Sequence, residues 1–237
     1  MIGEAGSRRN VAVETVTNVY QLGLMEYSAA YELQKTVHGR RLRGEEPDAL
    51  LLVEHTPTFT VGKSGKLDNV LASRDTLEAL GISLFLIERG GDVTYHGPGQ
   101  IVGYPIIDLR NRGKDIRRFV YDLEEVLVRT LRDFSVEGKR DPTHPGVWVN
   151  HEEVAAIGLS VRKWVSMHGF ALNVNTRMEH FSLINPCGFT DRKAVSISQL
   201  LSREVPLEQV TERLLLHFSS VFETRVVITP PPTPDNA

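Results

Sequence analysis

The sequence predicts one α+β domain in which a mixed β-sheet is flanked by helices. Long segments whose apolar residues recur at helical intervals alternate with shorter segments of strand-like composition. Neither a low-complexity linker nor an internal repeat divides residues 13–228, and 237 residues with 41% hydrophobic content can bury one core. The two ends, residues 1–12 and the proline-rich residues 229–237, are predicted to be flexible and to lie outside this domain.

The first half of the domain is predicted to hold two helices and four strands. A strand over residues 16–22 leads into a helix over 25–43. Strands over 49–54 and 58–61 are separated by Pro57. Ser73 is a predicted N-cap for a short helix over 74–80, and a strand over 82–88 leads into a glycine-rich loop.

The second half continues the same alternation. A helix over 116–134 places its apolar residues on one side, and strands follow over 147–149, 154–161 and 164–174. The last two strands are separated by a predicted turn at Arg162 and Lys163. A helix over 207–221 precedes a final strand over 225–228, and this spacing of helices among hairpin-linked strands is typical of an α+β fold.

The composition excludes several classes of function. The net charge is −3, so the chain lacks the basic surplus that holds proteins on nucleic acid. No apolar run approaches the roughly 20 residues that a membrane-spanning helix needs. Residues 1–10 lack the apolar core of a secretory signal, so a cytoplasmic location is expected, with neither nucleic acid nor membrane as a partner.

Cys187 is the only cysteine, which rules out an intramolecular disulfide and a multi-cysteine metal site. A lone cysteine usually packs as a small buried side chain. Here it lies between Pro186 and Gly188, in a predicted turn from which a sulfur atom can point into a cleft. A catalytic nucleophile occupies such a position, so both interpretations stand at this point.

Two further stretches combine glycine with polar residues. RGGDVTYHGPGQ, residues 89–100, follows a predicted strand, and its glycines allow the backbone to approach a ligand closely, although a tight surface turn has the same composition. In residues 155–174, Gly158 and the pair His168 and Gly169 interrupt strand sequence, as in a bulge or the wall of a ligand tunnel. Taken alone, His168 also fits a buried core histidine.

Together with HTPTFTVGKSG (residues 55–65) and INPCGF (residues 184–189), these blocks resemble the octanoyltransferase family of the biotin and lipoate protein ligase superfamily. The resemblance covers about residues 16–222 and implies a mixed sheet flanked by helices, with an acyl tunnel. It implies octanoyl transfer in lipoate biosynthesis, from octanoyl-acyl carrier protein through a Cys187 thioester to a lysine on lipoyl domains. The acceptors would be the lipoyl domains of 2-oxoacid dehydrogenases and the glycine cleavage H protein.

The resemblance also implies which residues bind substrate. It further implies that the reaction requires no ATP, no other cofactor and no metal, because the incoming acyl group is already a thioester. The implied substrate-binding positions are Arg89, Gly90, Gly91, Asp92, Val93, Thr94, Tyr95, His96, Ala156, Ile157, Gly158, His168, Gly169 and Phe170.

Glu153 departs from the family pattern, because similar proteins carry a lysine three residues before the AIG triplet, residues 156–158. That lysine is credited with lowering the pKa of the cysteine, and an anion in its place disfavours the thiolate. Glu153 therefore indicates a slow, inactive or engineered member. Alternatively, Lys163, His96 or His168 supplies the cation or base, or Glu153 itself acts as a base with a raised pKa.

Other functions fit parts of the pattern. An ATP-dependent lipoate or biotin protein ligase has the same fold but requires nucleotide contacts, and a related transferase passes octanoyl groups between carrier domains. A catalytically silent acyl-binding protein would account for Glu153. Basic residues at 40, 41 and 43, or at 110, 112 and 114, would suit an acidic carrier protein, although solvated surfaces account for them equally well.

Overall fold

The computed structural model describes residues 15–185 and 193–233, which form two sheets and five α-helices. The strands are β1 (Val16–Met25), β2 (Asp48–His55), β3 (Thr58–Val61), β4 (Ser83–Leu86), β5 (Val93–His96), β6 (Gln100–Ile106), β7 (Lys139–Arg140), β8 (Gly146–Val149), β9 (Glu152–Arg162), β10 (Val165–Asn173) and β11 (Arg225–Ile228). The helices are α1 (Tyr27–Arg43), α2 (Arg74–Ala79), α3 (Ile116–Asp133), α4 (Ile197–Leu201) and α5 (Leu207–Val221).

The larger sheet has the strand order β11-β1-β2-β6-β10-β9-β8-β7. Strand β1 runs parallel to both of its neighbours, and the other pairs are antiparallel, so the sheet is mixed as predicted. Along β2 the side chains alternate between two cores. Leu50 and Leu52 pack toward α3 and α5, whereas Leu51 and Val53 pack toward α1. The fold is therefore a sheet with helices on both faces, which confirms the predicted α+β class.

The smaller sheet has the order β4-β3-β5, with β3 parallel to β4 and antiparallel to β5. Phe59 and Tyr95 are fully buried in its own apolar cluster, together with Phe181 from the 3₁₀ segment Met178–Leu183. This small sheet lies in the chain between β2 and β6, and it carries the glycine-rich stretch predicted to be a site.

Several predicted elements match the structure closely. The bounds of β3, α5 and β11 are as predicted, and Ser73 caps α2 by accepting a hydrogen bond from the Thr76 amide at 3.2 Å. The turn between β9 and β10 lies one residue later than predicted. Its centre is Lys163 and Trp164, both in the left-handed region at φ 51° and 66°.

Other parts of the prediction were wrong. Residues 93–96 form β5 and not the predicted loop, because Val93 and Tyr95 pack into an apolar cluster whose other members lie elsewhere in the chain. Strand β6 was not predicted, since Gly103 and Pro105 are both unfavourable inside a strand. The short elements β7 and α4 were also not predicted.

The proposed domain boundaries remain predictions. Residues 1–12 lie outside the described residues, and residues 229–233 follow β11 without forming an element. Among residues 15–185 and 193–233, no helix combines the length and the apolar composition needed to cross a membrane.

Candidate functional site

A cavity of about 420 Å³ brings together the three predicted substrate-binding segments, residues 89–96, 156–158 and 168–170. Every predicted substrate-binding position except Tyr95 lines it, and so does Glu153. Residues 89–96 come from β5 of the small sheet and from the loop before it, whereas residues 156–158 lie on β9 and residues 168–170 on β10, with Gly158 paired opposite Gly169. The fold therefore assembles one concave site from segments far apart in the chain.

The cavity has a mouth and a floor that differ in burial. Ser64 and Gly91 at its edge are exposed, and His144 is half-buried. Its floor is formed by the buried residues Tyr27, His96, Val102, Tyr104 and His168. Between them the wall is largely apolar and includes Ile157, Phe170 and Ala171. Such a cavity suits a ligand with an apolar chain and a head that stays near the surface.

Glycine allows two segments of the wall to approach each other. The Gly90 amide donates to the Leu159 carbonyl at 2.9 Å, which joins the RGGD segment to β9. A β-carbon at Gly158 would lie 3.0 Å from both the Gly90 carbonyl oxygen and Cδ of Arg89. A larger residue at position 158 would therefore push the RGGD segment away from the cavity.

Arg89 places a permanent positive charge beside the cavity. Its Nη2 donates to the Thr60 carbonyl at 2.7 Å and to Thr60 Oγ1 at 3.0 Å, and its Nη1 donates to the Gly90 carbonyl at 2.9 Å. Because the guanidinium is always protonated and is 8% exposed, these bonds hold a cation in a largely dry environment.

His96 is held in one orientation by two polar neighbours. Its Nδ1 is 2.9 Å from Gln100 Oε1, while Gln100 Nε2 donates to the Tyr95 carbonyl and to Asn173 Oδ1. This arrangement places the proton on Nδ1, so Nε2 accepts from the Thr60 hydroxyl at 3.3 Å. Burial lowers the pKa of His96 well below its usual value, and His55 lowers it further. His96 is therefore neutral at pH 7.

His168 has an unusual backbone conformation within β10. Its φ is 56°, in the left-handed region, and its amide donates to Gln34 Oε1 at 3.1 Å. The imidazole stacks on Tyr31 with ring centroids 5.9 Å apart, and its Nε2 is 3.6 Å from Glu88 Oε1. Burial lowers its pKa to about 4 despite the nearby carboxylate, so this histidine is also neutral at pH 7.

Tyr27, His55 and Tyr104 were not identified from the sequence as site residues. Tyr27 stacks on His96 at 6.1 Å, and its ring is tilted against His55 at 5.2 Å. His55 is 2.7 Å from the Tyr104 hydroxyl, and burial lowers its pKa to about 4. The sequence gives little indication that these residues belong to a site, because Tyr27 occupies a helical core position and the other two lie in strand sequence.

Two residues of the glycine-rich block make contacts that stabilise the fold. Tyr95 does so without lining the cavity, whereas Asp92 does both. Tyr95 faces away from it, because alternation along β5 turns its ring into the small core, where its hydroxyl is 2.8 Å from His180 Nδ1. Asp92 lines the cavity but accepts hydrogen bonds from the Val93 amide at 2.8 Å and the Asn69 side chain at 2.5 Å. Its carboxylate thereby anchors the loop over residues 62–69.

Glu153 lies at the cavity with its backbone fixed on both sides. Its amide donates to the Lys193 carbonyl at 2.8 Å, and its own carbonyl accepts from the Val195 amide at 3.0 Å. The residue is 9% exposed, and its Oε1 would lie 3.2 Å from a β-carbon at Gly146. The carboxylate is thus directed toward the strand that follows His144 and Pro145.

The structure does not support the hypothesis that Lys163 replaces the family lysine. Lys163 follows the far end of the continuous strand β9, roughly 30 Å along the strand from Glu153, and does not line the cavity. His96 and His168 do line it, but both are neutral at pH 7 and so supply no cation.

Cys187 lies outside the described residues. The residues on either side of that segment are positioned near the site: the Asn185 amide donates to the Asn69 carbonyl at 2.8 Å, and the Lys193 carbonyl accepts from Glu153. In the part of the chain that the structure describes, no group of three histidine, aspartate or glutamate side chains is arranged to hold a metal ion.

Residues 26–219 match the family model of the lipoyl protein ligase A/B catalytic domain. An octanoyltransferase from Caldicellulosiruptor saccharolyticus is 49% identical over 207 residues, which cover 86% of this chain and 88% of that protein. An octanoyltransferase from Alkaliphilus metalliredigens is 45% identical over 213 residues, covering 90% and 98% of the two chains.

Solved structures share the fold at low sequence identity. A putative lipoate protein ligase from T. acidophilum with bound lipoic acid superposes with a TM-score of 0.72 at 15% identity, covering 92% of this chain and 90% of that one. Lipoate-protein ligase A bound with ATP gives a TM-score of 0.72 at 14% identity, with coverage of 92% and 89%.

Proposed function

Because the chain belongs to the octanoyltransferase family of lipoyl protein ligase A/B catalytic domains, we propose that it moves an octanoyl group from octanoyl-acyl carrier protein to a lysine of a lipoyl domain. The acceptors are the lipoyl domains of 2-oxoacid dehydrogenases and the glycine cleavage H protein. The observation that carries this proposal is the cavity, where an apolar wall separates an exposed mouth from a buried floor.

The cavity suits an eight-carbon acyl chain on energetic grounds. Burial of its six methylenes would contribute about 5 kcal/mol, at about 0.8 kcal/mol for each. Ile157, Phe170 and Ala171 supply apolar contact surface along the way to the floor. The carbonyl end stays at the mouth, because the carrier protein to which it is attached cannot enter.

The reaction has two acyl transfers through Cys187. In the first, the Cys187 thiolate attacks the carrier thioester, a new carbon–sulfur bond forms, and the carrier leaves as a thiolate that takes up a proton. In the second, the lysine amine attacks the Cys187 thioester, an amide forms, the amine loses a proton, and the Cys187 thiolate is released. Neither ATP nor a metal takes part in these two transfers.

Glu153 makes this protein a slow member of its family under the proposed mechanism. Glu153 lines the cavity, and the resemblance implies a lysine at its position in the sequence. An anion near a thiol raises the fraction of the thiol that stays protonated. A free thiol, with a pKa of about 8.5, is only a few per cent thiolate at pH 7. The alternative, in which Glu153 itself accepts the proton from the incoming amine, predicts that replacing its carboxylate lowers the rate.

The proposal is tested by incubating the protein with octanoyl-acyl carrier protein without ATP and measuring its intact mass. We expect one octanoyl adduct, located on Cys187 by peptide mapping, that disappears when a lipoyl domain is added. Cys187→Ser should form no adduct. An adduct on another residue would refute the assigned nucleophile, and transfer that requires ATP would identify a ligase instead.

A further inference from the structure

The proposed transfer to lysine releases a proton, which a base near the mouth of the cavity must accept. The acceptor lysine arrives from outside, so its amine loses that proton at the mouth. His96 and His168 are buried at the floor, and burial lowers the pKa of both, so they are weak bases. Lys163 does not line the cavity. Histidine is the side chain most often used for proton transfer near neutral pH, which directs attention to a third histidine.

His144 lies at the mouth and was not identified as a site residue from the sequence. It belongs to the segment between β7 and β8, lines the cavity, and keeps 32% of its side chain exposed. Its ring packs edge-on against Trp148, with ring centroids 6.5 Å apart. The imidazole of His144 is therefore accessible from solvent, unlike the buried ring of His96.

The hydrogen bonds of residues 141–144 determine which nitrogen of this ring carries the proton. Asp141 Oδ1 accepts from the Thr143 amide at 2.8 Å, from the Thr143 hydroxyl at 2.6 Å and from the His144 amide at 3.1 Å. Because the single hydroxyl proton of Thr143 is donated to Asp141, Thr143 Oγ1 accepts from His144 Nδ1, which lies 2.7 Å away. The proton of the neutral ring is therefore on Nδ1, and Nε2 carries the lone pair.

The same contacts orient the ring and favour a positive charge on it. Asp141 Oδ1 lies 3.3 Å from His144 Nδ1, so the carboxylate stabilises the imidazolium that forms when Nε2 takes up a proton. Neither Asp141 nor Thr143 lines the cavity, so the edge of the ring with Nδ1 is directed toward residues outside it. Nε2 lies on the opposite edge. A base that a carboxylate orients in this way is a recurring arrangement in acyl transfer.

Resting on the proposed function, we infer that His144 Nε2 accepts the proton of the acceptor lysine during amide formation. The amine nitrogen attacks the Cys187 thioester, a carbon–nitrogen bond forms, the carbon–sulfur bond breaks, and Cys187 leaves as a thiolate. One N–H proton of the attacking amine moves to Nε2, and the imidazolium then gives it to water at the mouth. His144 is thus a catalytic residue of the second transfer.

The test measures the second transfer separately from the first. Each variant is loaded from octanoyl-acyl carrier protein, separated from the carrier and mixed with a lipoyl domain, and intact mass follows the octanoylated domain. His144→Ala should load fully but transfer about 100-fold more slowly than the wild type. Added imidazole should raise that slow rate at least about tenfold, because it supplies the missing base.

His217→Ala is the matched control for this experiment. His217 Nε2 lies 2.9 Å from Asp133 Oδ2, so it is also a histidine paired with an aspartate, but it does not line the cavity. His217→Ala should transfer at the wild-type rate, with or without imidazole. A loss of rate in this variant equal to that in His144→Ala would overturn the inference.

His144→Gln keeps the inference testable if alanine disturbs the segment, because its amide can still donate to Thr143 Oγ1 but is not a base. It should be as slow as His144→Ala. A His144→Gln rate within about threefold of the wild type would overturn the inference, and so would a slow His144→Ala that imidazole does not accelerate. A wild-type protein that forms no octanoyl adduct would instead refute the proposed function itself.

Discussion

Gly169 and Gly103 meet across the β6–β10 pair so closely that a β-carbon on Gly169 would lie 2.1 Å from the Gly103 carbonyl oxygen. The same β-carbon would lie 2.5 Å from Cδ of Pro105. On the other side, the ring of Phe170 covers Gly103, where an added β-carbon would be 2.2 Å from Cζ. The two glycines thus allow the cavity wall and its supporting strand to pack without a gap.

Gly169→Ala is therefore predicted to destabilise the protein by about 1–3 kcal/mol, because backbone cannot move aside as the end of a side chain can. Urea denaturation at pH 7 measures the change. Gly39→Ala in helix α1 is the matched control, since its new β-carbon meets only the flexible end of Arg43 at 3.3 Å. That change should stabilise the helix by about 0.5–1 kcal/mol. Equal effects of the two changes would contradict the packing argument.

The sequence predicted the wall of the site better than its floor. Gly158 and Gly169 on the wall, and His168 on the floor, interrupt good strand sequence, and that local irregularity was visible without a structure. Tyr27, His55 and Tyr104 carry no such signal, because each suits an ordinary core position in its own element. Tyr27 and Tyr104 reach the floor, and His55 contacts both of them, only when α1 packs on β2 and β6, which is a long-range relationship.

The structure of the glycine-rich block, residues 89–100, could also be predicted only in part. Its composition indicated a loop, and the close approach of Gly90 to Leu159 agrees with the expected backbone role of glycine. The partners that turn residues 93–96 into a strand, Thr58–Val61, lie more than thirty residues earlier in the chain. Pairing over that separation leaves no local pattern from which β5 could be predicted.

Under the proposed function, Glu153→Lys is predicted to raise the rate of octanoyl transfer at least tenfold, since it exchanges an anion for a cation where the resemblance implies a lysine. The rate is measured with purified protein, octanoyl-acyl carrier protein and a lipoyl domain. Glu152→Lys makes the same change of charge on the opposite face of β9 and should have little effect, because Glu152 does not line the cavity. A rate that is unchanged or lower in Glu153→Lys would show that this protein uses its own arrangement of groups.

Stability is predicted to fall between pH 7 and pH 5 because of buried neutral histidines. The pKa values of His55 and His168 are about 4 in the folded protein, compared with 6.5 when unfolded, so the unfolded chain binds more protons as the pH drops below 6.5. Each histidine then removes about 2 kcal/mol of stability by pH 5. Urea denaturation at the two pH values measures this loss of stability. The loss should be smaller in His168→Asn, because asparagine does not titrate and tolerates the left-handed backbone at this position. A wild-type stability equal at both pH values would contradict the neutral state assigned to these histidines.

The buried floor predicts a preference for acyl chain length. Hexanoyl has two fewer methylenes than octanoyl, and the loss of about 1.6 kcal/mol of burial corresponds to roughly 15-fold lower kcat/KM. A chain longer than octanoyl meets Tyr27 and His168, which are held by stacking and cannot withdraw, so dodecanoyl should also react more slowly. Rates of adduct formation from hexanoyl, octanoyl and dodecanoyl carrier protein, followed by intact mass, check both sides of this optimum. If hexanoyl and octanoyl reacted equally fast, contacts in this cavity would not contribute to acyl binding. The assignment of the cavity as the acyl site would then be wrong.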